Sequence, residues 1–190
     1  MKDLIILIED DPQQSASIMG AIKRRYRNTE VQLFETENAF CRRLPEIVGG
    51  EPVPRMIISD VMLPWEFPEP DAPSPPEEVT GGTFRKAGLR CWERFRKRHD
   101  LKSIPWIYFT VLDAKTIEFD TYSDDRTGYT QKSGSIEPLL ERMEEYLHLD
   151  DKWTQTDEQV TQSLASSPKM RKILLDGLNT PLADCASSLP

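Results

Sequence analysis

Three short apolar runs, each ending on a chemically active side chain, constrain this chain more than any other feature. Residues 4–8 (LIILI) stop at Glu9-Asp10-Asp11-Pro12, Met56-Ile57-Ile58 stops at Ser59-Asp60, and residues 104–109 (IPWIYF) stop at Thr110. A run of that length without polar alternation reads as a strand covered on both faces, as in parallel sheets. Helical spacings separate the runs. Ser15 to Tyr26 carries Ile18, Met19 and Ile22, and Glu37 to Val48 carries Phe40, Leu44, Ile47 and Val48 on one side, with Pro45 as a potential kink. Phe84 to His99 carries Leu89, Trp92 and Phe95, and Ile136, Leu139, Leu140, Met143 and Leu147 make an amphipathic helix with Pro138 tolerated in its first turn. Val31 to Phe34 and Tyr129 to Lys132 are weaker strands, and Asp113 to Phe119 is expected to be a short helix. Strand and helix alternate through Leu149, which predicts an α/β fold: an open, doubly wound, five-stranded parallel sheet.

Two segments depart from this rhythm. Residues 64–76 (PWEFPEPDAPSPP) hold six of the chain's 15 Pro and lead through Glu77-Glu78 to Gly81-Gly82, so an extended acidic insertion of about residues 64–83 follows the third strand. We expect it to be mobile or held only by Trp65 and Phe67. Residues 150–190 form a C-terminal extension, weakly helical around Met170, Ile173, Leu174 and Leu178 or disordered. The domain expected to carry the function is therefore 1–149. The basic face of the helix at 84–99, with Arg85, Lys86, Arg90, Arg94, Arg96, Lys97 and Arg98, reads as solvated, or as a dock for the neighbouring acidic loop or an acidic partner.

Composition removes several function classes. A net charge of −8 makes the chain a poor general nucleic-acid binder, so no direct DNA binding is expected. The three Cys (Cys41, Cys91, Cys185) are far apart in sequence and fit no zinc or redox spacing. No run approaches the roughly 18 apolar residues of a membrane span, and Met1-Lys2 leads straight into the first strand and its acidic cluster, unlike a secretory leader. The expected setting is cytoplasmic, with no membrane partner. His99 and His148 stand isolated, and no Cys–His or Ser–His arrangement is present.

In open α/β sheets ligands bind at the carboxyl ends of the strands. That edge would gather Glu9, Asp10 and Asp11, then Asp60, Thr110 and Lys132. The carboxylates repel one another unless a cation or proton intervenes. Oxygen ligands on a rigid frame suit Mg2+, and an Asp beside such an ion can attack a phosphoryl group to give an acyl phosphate. Lys132 and Thr110 would hold phosphoryl oxygens, since phosphoryl transfer rests mainly on positioning and charge neutralisation. Taken singly, the acidic triplet could as well cap the first helix, Asp60 could serve a turn, and Tyr129 could be half-buried packing.

The segments LIILIEDDP (4–12), MIISDVMLP (56–64), IPWIYFTVLD (104–113) and YTQKSG (129–134), in this order, resemble the receiver domain of two-component response regulators, over about residues 2–148. The resemblance implies a flavodoxin-like receiver with Asp60 as phosphoacceptor. Glu9 and Asp10 match the acidic pair of the Mg2+ pocket, with Asp10 ahead as direct ligand, Asp11 is peripheral, and Met62 stands where the family offers a carbonyl to the metal. Thr110 and Lys132 match the residues that hold the phosphoryl group, and Thr110 and Tyr129 match the pair that moves on phosphorylation. The implied function is a phosphorylation-dependent switch that accepts a phosphoryl group from a histidine kinase or phosphotransfer protein and alters binding to an output protein. It is no enzyme beyond promoting its own phosphorylation and dephosphorylation.

The departures are equally specific. The loop after Asp60 is about twenty residues longer than the family norm. Val111 replaces a small residue and crowds the phosphoryl site, Ser133 replaces the Pro that usually follows the Lys, and residues 122–128 are polar where the family is more apolar. The enlarged loop, Val111 and Ser133 favour the alternative, an atypical receiver acting as a phosphate-independent protein-interaction module, against which the intact Glu9, Asp10, Asp60, Thr110 and Lys132 argue. A Mg2+-dependent phosphatase with an Asp nucleophile is disfavoured, because Met62 stands where such enzymes place a second Asp.

Overall fold

The computed structural model describes residues 2–50, 52–79, 86–98 and 101–147. Its elements run β1 (Asp3–Ile8), α1 (Pro12–Arg25), β2 (Thr29–Phe34), α2 (Glu37–Gly49), β3 (Pro54–Ser59), a single 3-10 turn (Glu77–Val79), α3 (Ala87–Arg96), β4 (Trp106–Thr110) and β5 (Thr127–Gln131). A last helix, α4, spans 137–147. The five strands form one parallel sheet in the order β2-β1-β3-β4-β5. This is the predicted architecture, the flavodoxin-like fold of receiver domains.

Side chains alternate across a strand, and here both destinations are apolar. Ile6, Ile8, Ile57, Trp106 and Tyr108 enter a core with Phe40 and Leu44 of α2 and Leu89 and Phe95 of α3. Ile5, Leu7, Met56, Ile58, Ile107 and Phe109 enter a second core with Ile18 and Ile22 of α1 and Leu139 and Met143 of α4. Two buried faces account for strands without polar alternation. Pro45 does not end α2, which continues to Gly49.

Several sequence expectations are corrected. Residues 113–119 form consecutive turns rather than a helix. Asp113 caps the first of these turns, its carboxylate accepting from the amide and hydroxyl of Thr116 at 2.8 and 2.9 Å, but the run does not continue as a helix, because Glu118 adopts φ +54°. Strand β5 begins at Thr127 rather than Tyr129 and ends before Lys132.

The insertion is pinned, but not by Phe67, which is exposed. Its first carbonyls satisfy the free amides at the start of α2: Glu37 N–H donates to Pro64 O at 3.0 Å and Asn38 N–H to Trp65 O at 2.9 Å. Glu66 then accepts from Asn38 Nδ2 at 2.7 Å, and Val79 is buried at the far side.

The basic face of α3 is only partly solvated. Arg90 forks onto the buried Glu37 at 2.9 and 2.5 Å, and Arg94 reaches the same carboxylate at 3.1 Å. Arg96 is buried, bonds the carbonyls of Leu101 and Ile104, and pairs with Asp124 at 2.8 Å. Arg85 and His99, with the expected extension at 150–190, Cys185 and His148, lie outside the described residues.

Candidate functional site

The order β2-β1-β3 reverses direction at β1, and the crevice at that switch point lies between the ends of β1 and β3. Glu9, Asp10 and Asp60 stand at those ends, with carboxylate oxygens within 4.8 Å of one another. The cleft they line has a volume of about 480 Å3 and is completed by Gln14, Met62, Val111 and Lys132.

Each group is fixed by its backbone. Glu9 N–H donates to Phe34 O of β2 at 3.0 Å and Asp60 N–H to Ile8 O of β1 at 2.9 Å, so the two acids continue the sheet's own bonding. Asp60 is buried, and its Oδ1 accepts from the amides of Val61 and Met62 at 2.5 and 3.2 Å. Its Oδ2 accepts from Lys132 Nζ at 2.5 Å, and the same ammonium donates to Glu9 Oε2 at 2.8 Å. Lys132 is held in turn by its own amide, which bonds Thr110 O at 2.8 Å.

The electrostatics follow from burial. Loss of water pushes the Glu9 carboxyl up to about 7 despite the opposing pull of Lys132, and the charge on Asp60 adds to the rise. Burial likewise raises Asp10. For Lys132 burial works against the charge, yet the carboxylates of Asp60 and Glu9 outweigh it and hold the ammonium above its ordinary value. Three converging carboxylates, two of them resisting ionisation for want of water, form an all-oxygen donor set that suits a hard divalent cation.

The remaining predicted residues fall outside this cluster or on its rim. Asp11 faces the helix: it is the N-cap of α1 and accepts from the amides of Gln13 and Gln14 at 2.8 and 3.0 Å. Those bonds hold its carboxyl below the usual range, so Asp11 caps α1 from the edge of the cleft, while the carboxylate cluster is made by Glu9, Asp10 and Asp60. Thr110 lies at the same sheet edge, fully buried, with Oγ1 accepting from the Leu112 amide at 3.4 Å. Val111 stands half-exposed at the mouth. Tyr129 is turned away from the cleft, its hydroxyl donating to Leu112 O at 2.8 Å and its ring 5.9 Å from that of Phe119.

Sequence reasoning missed Gly88. Its amide donates to Val61 O at 3.0 Å, and a Cβ at this position would stand 2.1 Å from Asp60 O and 2.9 Å from Ser59 Oγ. The start of α3 therefore closes directly on the backbone that presents Asp60. The available signal was a Gly inside a helical pattern, which marks close approach. Gln14, in the first turn of α1, was also missed as a cleft residue.

Comparison by sequence finds no matching family model and no matching curated protein. Comparison of structures finds many. The phosphorylated cyanobacterial phytochrome response regulator RcpA is 17% identical over 82% of this chain and 96% of its own, with a TM-score of 0.53. The Mn2+-bound form of response regulator Rcp1 is 20% identical over 74% of this chain and 88% of its own, with a TM-score of 0.52. A CheY-like response regulator receiver domain protein from Methanospirillum hungatei is 17% identical over 80% of this chain and 98% of its own, with a TM-score of 0.52. At these identities the likeness shows the fold: this chain folds as a receiver domain.

Proposed function

We propose that the chain is a phosphorylation-dependent signalling switch of a two-component or phosphorelay system, accepting a phosphoryl group on Asp60 from a histidine kinase or phosphotransfer protein. The observation that carries this reading is the single ammonium of Lys132 bonded to both Asp60 and Glu9 in a cleft lined by three carboxylates. Glu9, Asp10 and Asp60, with the carbonyl of Met62, are the residues that would hold Mg2+. Bound there, Mg2+ supplies the positive charge that draws phosphoryl oxygens toward a carboxylate. The chain's own residues do the rest. The amides of Val61 and Met62 fix Asp60 Oδ1 and leave Oδ2 as the attacking atom once Lys132 shifts onto the incoming phosphoryl oxygen. The Thr110 hydroxyl exchanges its Leu112 bond for another phosphoryl oxygen, and Tyr129, tied to the same Leu112, follows. The protein turns over no external substrate beyond the phosphodonor; its product is a changed surface for an output partner.

The fold supports this reading, as does a neighbour of known phosphorylated state and another of Mn2+-bound state. No helix among the described residues is long and apolar enough to cross a membrane, which fits the cytoplasmic setting in which such relays operate.

One observation favours the alternative, a phosphate-independent interaction module. The segment between β4 and β5 forms turns, so the surface beside Tyr129 differs from the helical one that the resemblance implies. Intact-protein mass spectrometry after incubation with acetyl phosphate and Mg2+ separates the two. One added phosphoryl group on the wild type and none on Asp60→Ala supports the switch. An unchanged wild type, with partner binding equal in both proteins, supports the module.

A further inference from the structure

Helices α2 and α3 face each other across a cluster unrelated to the cleft. Cys41 of α2 and Cys91 of α3, fifty residues apart in sequence, bring their sulfurs within 4.8 Å of each other and of a Glu37 carboxylate oxygen. Cys91 is completely buried, whereas Cys41 is half-buried. Arg94 Nη1 donates to Cys41 Sγ at 2.8 Å, and its pairing with Glu37 at 3.1 Å keeps the guanidinium in place.

We propose that Cys41 and Cys91 are a peroxide-responsive thiol pair that closes into a reversible disulfide between α2 and α3. The asymmetry of the two thiols assigns the roles. The hydrogen bond from Cys91 lowers the Cys41 thiol to about 7, with the charge of Arg94 assisting against burial, while burial pushes Cys91 up. Cys41 is thus the more readily ionised of the two thiols and the less buried one, the two conditions for attack on a peroxide. Its sulfur donates an electron pair to one peroxide oxygen, the O–O bond breaks, and hydroxide leaves, giving a sulfenic acid on Cys41. Cys91 then gives up its proton, its sulfur attacks the Cys41 sulfur, the S–O bond breaks and water leaves. The two thiols together lose two electrons, and hydrogen peroxide is reduced to two waters after the hydroxide takes up a proton. Glu37 belongs to the device because it anchors the guanidinium that favours the Cys41 anion. Glu37 is already paired with Arg90 and Arg94, and Arg94 also bonds Cys41 Sγ, so the same cluster is a poor cation site, which separates it from the cleft of Glu9, Asp10 and Asp60.

The test uses the full chain carrying Cys185→Ser, so that only this pair remains. After a few equivalents of hydrogen peroxide, quenching and alkylation in denaturant, the expected protein has lost two hydrogens, takes up no alkylating reagent, and yields one cross-linked peptide joining Cys41 to Cys91. Dithiothreitol restores both alkylatable thiols. With Cys91→Ser added, dimedone labels Cys41 instead, which shows the sulfenic acid that has lost its resolving partner. Two alkylatable thiols after peroxide, or oxygen added to Cys41 with Cys91 still free, overturns the proposal. Should Cys91→Ser fold poorly, Cys91→Ala also leaves the sulfenic acid without its resolving partner, and dimedone should still label Cys41, more slowly because the Cys91 hydrogen bond to it is lost.

Discussion

Thr110 and Tyr129 hold Leu112 through its two adjoining peptide units: the Thr110 hydroxyl accepts from the Leu112 N–H at 3.4 Å and the Tyr129 hydroxyl donates to the Leu112 C=O at 2.8 Å. A buried group at the edge of the cleft and a half-buried ring on the β4–β5 surface thus share one residue. Any event that draws the Thr110 hydroxyl toward the cleft frees the Leu112 amide and alters the tether of the ring.

Replacing Tyr129 with Phe cuts that tether at the carbonyl, at a cost of about 1 kcal/mol. We expect Tyr129→Phe to accept a phosphoryl group from acetyl phosphate at close to the wild-type rate, because the ring does not line the cleft. The change in hydrogen exchange on phosphorylation should then be confined to the Thr110 side and lost from residues 127–131. An exchange response in β5 as large as the wild type's would show that the Leu112 link carries nothing.

The raised Glu9 sets a pH dependence whose sign can be worked out. The native state keeps the Glu9 proton up to about pH 7, whereas the unfolded chain releases it near 4.5. Between these values the native state binds more protons, so stability falls as pH rises through that window. In EDTA the unfolding free energy measured in urea should therefore drop between about pH 5 and about pH 7, by on the order of a few kcal/mol at most. Glu9→Gln should flatten the drop. Added Mg2+ should stabilise more at pH 7.5 than at pH 5, since it binds the ionised carboxylates. Equal Mg2+ stabilisation at both values would contradict the arrangement.

Gly88→Ala should be among the most damaging single-methyl additions in the chain. The new Cβ meets a backbone carbonyl, that of Asp60, and backbone cannot swing aside as a side-chain tip can. Overpacking of this kind costs about 1–3 kcal/mol. Urea unfolding should show the loss, and phosphoryl uptake should fall with it, because the displaced atoms include those that aim Asp60. Wild-type stability in Gly88→Ala would mean that α3 does not close on the loop as described.

For the insertion, Glu66 and not Phe67 is the pin, because Glu66 holds Asn38 at 2.7 Å while Phe67 is exposed. Limited proteolysis should cut within 67–76 several-fold faster in Glu66→Ala than in the wild type, and no faster in Phe67→Ala. The reverse order would restore the expectation formed from sequence.

The sheet and its carboxyl edge were legible because two-sided burial leaves a direct mark: LIILI and MII carry no polar alternation, and the acidic residues that follow them line the candidate site. Glu9, Asp10, Asp60 and Lys132 were legible as a set for the same reason. What the sequence concealed was decided by contacts between distant elements. The arginines of α3 look like one solvated stripe, yet the buried Glu37, more than fifty residues earlier, claims two of them and Asp124 a third. Residues 113–119 have helical spacing, and Asp113 caps a first turn, but the left-handed backbone of Glu118 ends it there. Cys41 and Cys91 share no spacing rule, since their proximity is a product of two helices packing on one sheet face.

The way the insertion is fastened has a consequence for how freely its length can vary. Its first carbonyls complete the amide bonding at the start of α2, and its far end is buried at Val79. The segment between those points is a loop with both ends held by the fold. Closure entropy grows only with the logarithm of length, so doubling such a loop costs roughly 0.6 kcal/mol. Lengthening or shortening the proline-rich stretch between Phe67 and Pro76 therefore changes what the molecule displays beside its acidic cleft while leaving the frame that holds Asp60 almost untouched.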